Sequence, residues 1–125
     1  EQKDNSKIRT GKAGEKIAVA FLKENGYGIL EVNYRCPIGE IDIVARDKKE
    51  LVFVEVKTRK SSALGYPEQA VGVKKQKKIS RLALWYLQEK KINDAHARFD
   101  IVAILMLPAG NAIRLIKNAF DFISY

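Results

Sequence analysis

Cysteine and histidine are almost missing from this chain. Cys36 and His96 each stand alone among 125 residues. A single cysteine excludes an intrachain disulfide, and one residue of each kind excludes a Cys/His zinc site within one chain. Long apolar runs are missing as well. The longest, Ile101 to Leu107, has seven residues, too few to cross a bilayer. The sequence opens polar, without the apolar stretch of a signal peptide. There is no repeat or low-complexity tract. The expectation is a soluble, cytoplasmic protein that makes no membrane contact.

What is present is an ordinary globular composition with one unusual feature. Hydrophobic residues make up 46% of the chain, too many for a disordered protein. The length predicts one domain over 1–125, with 1–9 flexible. The net charge is +8, and its excess is local. Residues 57–91 hold ten basic side chains and two acidic ones, while the rest of the chain is balanced. A neutral body with one basic segment suits a polyanion partner; a solvated, solubilising surface is the plain alternative.

The pattern predicts the order αβββαββ, one mixed sheet flanked by helices. Thr10 is a possible N-cap for a helix running to about Asn25, stopped by Gly26. Its apolar positions are Ile17, Ala18, Phe21 and Leu22. Tyr27 to Tyr34 reads as a strand, then a loop from Arg35 to Gly39. Glu40 to Arg46 alternates, with Ile41, Ile43 and Ala45 on one face, Glu40, Asp42 and Arg46 on the other, and Val44 out of pattern. Leu51 to Thr58 is rich in β-branched residues and reads as a strand. A loop from Arg59 to Pro67 follows. A second helix starts at about Glu68 or Val73 and ends at Lys90, its apolar stripe made of Ile79, Leu82, Ala83, Tyr86 and Leu87. Phe99 to Leu107 reads as a buried strand, Ala112 to Lys117 as a short one, and Asn118 to Tyr125 as a closing helical turn.

Pairing residues 40–46 with 51–58 as an antiparallel hairpin sets Arg46 against Leu51. Asp42 then lies opposite Glu55, and Glu40 opposite Lys57, all on the face that carries Leu51 and Phe53. Two carboxylates facing each other repel unless a cation relieves them. Mg²⁺ takes oxygen ligands and suits the position. Lys57 would project beside it, placed to orient a water or stabilise charge on a phosphate. A plain charge network at a strand end is the alternative.

These residues resemble the PD-(D/E)XK nuclease superfamily, with its restriction-endonuclease-like fold. The chain is more closely similar to the YraN family of small bacterial endonuclease-like proteins. The matching pieces are Gly14-Glu15, Gly39-Glu40-Ile41-Asp42, Phe53-Val54-Glu55-Val56-Lys57-Thr58-Arg59 and Arg98-Phe99-Asp100, spread over about residues 10–107. Ile41 stands before Asp42 where the superfamily motif has proline. The resemblance implies an α/β, metal-dependent phosphodiesterase. Asp42, Glu55 and the backbone carbonyl of Val56 would bind Mg²⁺ or Mn²⁺, and Lys57 would be the catalytic lysine. Glu15 would match the first-helix acid of archaeal Holliday-junction resolvases, which also suggest a homodimer. DNA is expected over RNA, in branched or structured form. A nucleic-acid-binding module that keeps the fold without turnover is the alternative.

Glu15 lies three residues before Ala18 and seven before Leu22, at the border of the apolar stripe. From there it can face the site or the solvent. Lys74, Lys77, Lys78 and Arg81 make an i, i+3, i+4, i+7 stripe of like charge. A phosphate backbone would relieve their repulsion. Arg59 and Lys60, just past the catalytic strand, are further candidates for phosphate contact. Asp100 is expected to be structural, paired with Arg98 or another arginine. Trp85 and Tyr86 are expected in a core or interface, Gln69 at the surface, and Cys36 as an apolar filler.

Overall fold

The structure, a computed structural model, describes residues 6–60, 71–93 and 96–123. Helix α1 spans Ser6–Glu24, and strands β1, β2 and β3 span Gly28–Cys36, Gly39–Asp47 and Glu50–Arg59. Helix α2 spans Val73–Glu89, followed by β4 (His96–Leu107) and β5 (Gly110–Phe120). The order αβββαββ is therefore as expected. The sheet runs β1-β2-β3-β4-β5. Only β3 and β4 pair in parallel; the other three pairs are antiparallel. A parallel pair needs a crossover, and here the crossover contains α2.

Among the described residues, each face of the sheet carries one helix and its own apolar layer. Under α2 lie Leu51, Phe53, Phe99 and Tyr34, packed against Ile79, Leu82, Ala83 and Tyr86. These four helix residues belong to the stripe read from sequence, and Leu87 is partly buried beside them. Under α1 lie Val52, Val54, Val102 and Ile104 with Ala18 and Leu22. Alternation along β3 and β4 feeds both layers, so these strands read as continuous apolar runs. No helix among the described residues is long and apolar enough to cross a membrane.

Several boundaries differ from the expectation. Helix α1 already runs from Ser6, so Thr10 sits inside it rather than capping it. Nothing in Ser6–Arg9 breaks a helix, and propagation adds one hydrogen bond per residue. Strand β1 continues to Cys36, which turns the expected 35–39 loop into a tight connection at Pro37-Ile38. The expected helical turn at the end of the chain is replaced by strand through Phe120. Asn118 takes φ 50°, and its backbone N–H donates to Asp100 at 3.0 Å, across a register shift. The strand then resumes and stacks Phe120 on Phe99, with ring centroids 4.8 Å apart.

Faces in β2 also depart from strict alternation. Ile43 and Ala45 face α1, as paired in the sequence reading, but Ile41 joins Val44 in the layer under α2. Val44 therefore has a partner on its own face. A left-handed Asn33 (φ 56°), between the Val32–Ile43 and Tyr34–Ile41 pairs, accompanies this change. The possible start of α2 at Glu68 and the 61–67 part of the expected loop lie outside the described residues, as does Gln69.

At the Glu50 end of β3 a buried polar knot holds the layers in register. Arg98 donates to Asp100 at 3.0 Å, to Glu50 at 2.7 Å and to Asp47 at 2.6 Å. Asp100 is fully buried and also accepts the Tyr27 hydroxyl at 2.7 Å. The Arg98 guanidinium holds the Asp47 carboxyl below the usual carboxylate range. Asp100 thus has the structural role expected of it, with Arg98 as its partner.

Candidate active site

The other half of β3 builds a very different polar group. The β2–β3 ladder pairs Asp47 with Glu50 through Ile43 with Val54, the register the sequence predicts. It stops one pair short of Asp42 and Glu55, so the expected backbone pairings of Asp42 with Glu55 and Glu40 with Lys57 are not made. Instead the Val56 N–H donates to the Asp42 carboxylate at 2.8 Å. That side chain satisfies the backbone where the strands part. The separation opens a pocket of about 470 Å³.

Four elements contribute to this pocket. Strand β2 supplies Gly39, Glu40 and Asp42; β3 supplies Glu55, Val56 and Lys57; α1 supplies Glu15; and α2 supplies Lys75 and Lys78. Outside the lining, the exposed Arg35 of β1 pairs with Glu40 at 3.2 Å. Carboxylate oxygens of Glu15, Glu40 and Asp42 lie within 4.8 Å of one another. Glu55 is buried and forms ion pairs with Lys57 at 3.5 Å and Lys75 at 3.2 Å. Burial, reinforced by the charge of Glu55 and a hydrogen bond to it, pushes the Asp42 carboxyl up to about 8. Glu15 adds to the same repulsion, while the Val56 N–H opposes it.

Four clustered carboxylates with so costly an anion at their centre are a fit for a cation. All their donor atoms are oxygens, the ligand class of Mg²⁺ and Mn²⁺. The Asp42–Glu55–Val56 set expected from sequence is present together, and Glu15 reaches the group from the opposite helix. Glu40 enlarges the set.

The basic residues divide. Lys78 lines the pocket, and Arg81 lines a smaller hollow beside it with Lys78 and Ile38. Lys74 is exposed on α2 and Lys77 half-buried, neither in the pocket. Arg59 closes β3 half-buried, and exposed Lys60 follows it, both beyond the pocket lining. Lys75 was missed as a site residue. Its signal was its spacing: it precedes Ile79 by one turn on the stripe that faces the sheet, where a lysine has no apolar role. Helix α2 also has no acidic residue in its first turn and no side-chain cap. Its N-terminal partial charge adds to the lysines and favours an anion.

A five-stranded mixed sheet with a helix on each face, and an acidic pocket where β2 and β3 part, is the restriction-endonuclease-like fold. A solved structure agrees: Hjc of Archaeoglobus fulgidus, a Holliday junction resolvase from an archaeal hyperthermophile, superposes with a TM-score of 0.51. The match covers 85% of this chain and 75% of that one at 20% sequence identity, a likeness of fold. The profile described as "Uncharacterised protein family UPF0102" matches residues 14–104. A UPF0102 protein of Syntrophus aciditrophicus is 55% identical over 114 residues, covering 91% of this chain and 90% of its own length. One from Geotalea daltonii is 54% identical over 118 residues, covering 94% and 93%. The chain belongs to the UPF0102 family, the YraN family indicated by its motifs.

Proposed function

We propose that this protein is a metal-dependent nuclease that hydrolyses phosphodiester bonds in DNA, in branched or structured form. The carrying observation is the pocket itself, where Asp42, Glu55, Glu15 and Glu40 meet Lys57 and Lys75. The nuclease-like fold supports the same reading. Asp42, Glu55 and the Val56 carbonyl would hold Mg²⁺ or Mn²⁺, with Glu15 and Glu40 beside them. When bound, that ion supplies Lewis-acid polarisation of the phosphate.

The chain's own residues do the rest. Lys57 orients the attacking water and stabilises charge developing on the phosphate. Lys75 and Lys78 draw flanking phosphates over the mouth of the pocket. Lys74, Lys77, Arg81, Arg59 and Lys60 extend the positive field that captures the polyanion. The protein works in the cytoplasm, and by analogy with the resolvases two copies pair.

A second reading rests on Glu55. Its two ion pairs neutralise it without a metal, as suits a fold kept for binding DNA without cutting it. A cleavage assay separates the two. Linear, single-stranded, flap and four-way-junction DNA would be offered in Mg²⁺ or Mn²⁺, beside Asp42→Asn. Cuts that vanish with EDTA and in the variant are expected. Equal cutting by the variant would remove the nuclease assignment, and salt-sensitive binding without cuts would favour the second reading.

A further inference from the structure

A second groove of about 530 Å³ adjoins the acidic pocket and shares Glu15 with it. It lies between α1 and β1. Its rim carries Lys12, Lys16 and Lys23, and Val19, Ala20 and Val32 form an apolar floor. Positions 12, 16, 19, 20 and 23 follow one face of the helix. From Lys12 to Lys23 the helix advances about 16 Å, the length of about five stacked nucleotides at 3.4 Å each. Val32 is 43% exposed on the edge strand, an apolar side chain turned to a charged groove.

We infer that this groove binds a single-stranded DNA extension that leaves the acidic pocket, with phosphates on Lys12, Lys16 and Lys23 and base faces on the floor. Three ammonium groups against the one carboxylate of Glu15 give the charge complementarity. The apolar floor selects the strandedness, because a duplex hides its base faces and offers the groove only phosphates. Shared lining makes the track continuous with the pocket. The inference rests on the nuclease reading and names its substrate class: DNA with an unpaired segment beside the scissile phosphate.

The test is fluorescence polarisation in EDTA, with labelled oligothymidylate and a duplex of equal length. Two variants of the full chain are compared with wild type, each checked by circular dichroism. Lys12→Ala/Lys16→Ala/Lys23→Ala should weaken oligothymidylate binding by about tenfold or more, and lower its log–log salt slope by about two. Val32→Asp should weaken the same binding while sparing the duplex. Wild-type affinity for oligothymidylate in both variants, with duplex binding intact, overturns the groove and leaves the nuclease reading standing. Equal losses on both probes overturn the single-strand assignment. If wild type binds neither probe, the groove assignment is overturned, while cleavage of branched DNA remains the separate test of the nuclease reading.

Discussion

Gly14 of α1 lies directly against Thr58 of β3. A Cβ built on Gly14 would overlap the Thr58 hydroxyl and press on its Cβ at 3.1 Å and its methyl group at 3.3 Å. The absent side chain is what lets α1 come down onto the strand that carries Glu55 and Lys57. The next residue, Glu15, is thereby delivered to the carboxylate cluster. Gly14→Ala should destabilise the fold by about 1–3 kcal/mol, the range for overpacking, and lower cleavage through displaced Glu15. Adding Thr58→Ala should recover part of both. Urea melts and single-turnover rates on the three proteins check this; a neutral Gly14→Ala would refute it.

Asp42 sets a pH dependence on the metal-free protein. Its carboxyl is raised by burial and by Glu55, so the fold binds a proton that the unfolded chain releases. That contribution is complete below the ordinary aspartate value, near pH 4, and is lost as pH rises through about 8. Thermal melts in EDTA should fall by several degrees between pH 5 and pH 9. Asp42→Asn should flatten the profile, and Mg²⁺ should restore stability at the alkaline end for the wild type alone. A wild-type profile as flat as the variant's would contradict the cost assigned to this anion.

Lys57 and Lys75 share Glu55, and the proposed nuclease chemistry gives them different tasks. Lys57→Ala should lower single-turnover cleavage by about 10²–10³-fold, the scale for losing one charge-stabilising donor. Lys75→Ala should cost about tenfold, mostly in substrate affinity. Neither change should move stability by more than about 0.5 kcal/mol. Matching effects on rate and affinity in the two variants would erase the distinction.

Arg98 is the clearest stability hot spot. It is mostly buried and faces Asp47, Glu50 and Asp100. Arg98→Ala leaves a fully buried carboxylate without its cation. The expected cost is about 3–5 kcal/mol, read from denaturant melts, with the acidic pocket unchanged in position. A loss under 1 kcal/mol would show that Tyr27 and the Asn118 N–H suffice for Asp100.

The sequence made the β2–β3 hairpin register legible because its turn and its β-branched run agree. It also showed the α2 stripe, since helical spacing is a strong signal. The Asp42–Val56 hydrogen bond was hidden: a ladder that ends in a side chain looks, in sequence, like one that continues. Lys75 is hidden among its neighbours, because a run of like charges does not show which of them meets the sheet. The reach of Glu15 depended on how closely two elements approach. Gly14 is legible as part of a motif, but its contact with Thr58 is tertiary.

The crossover through α2 bears on the order in which the protein is made. Glu15, Glu40, Asp42, Glu55 and Lys57 precede Lys75 in the chain, and the hairpin that gathers Asp42 and Glu55 is local. Parallel pairing of β3 with β4 must wait for His96–Leu107, and such nonlocal pairing is slow. During synthesis the acidic residues therefore emerge first, and α2 brings Lys75 afterwards. A chain made only as far as β3 has the four carboxylates with Arg35 and Lys57, and it lacks Lys75 and Lys78 until α2 follows.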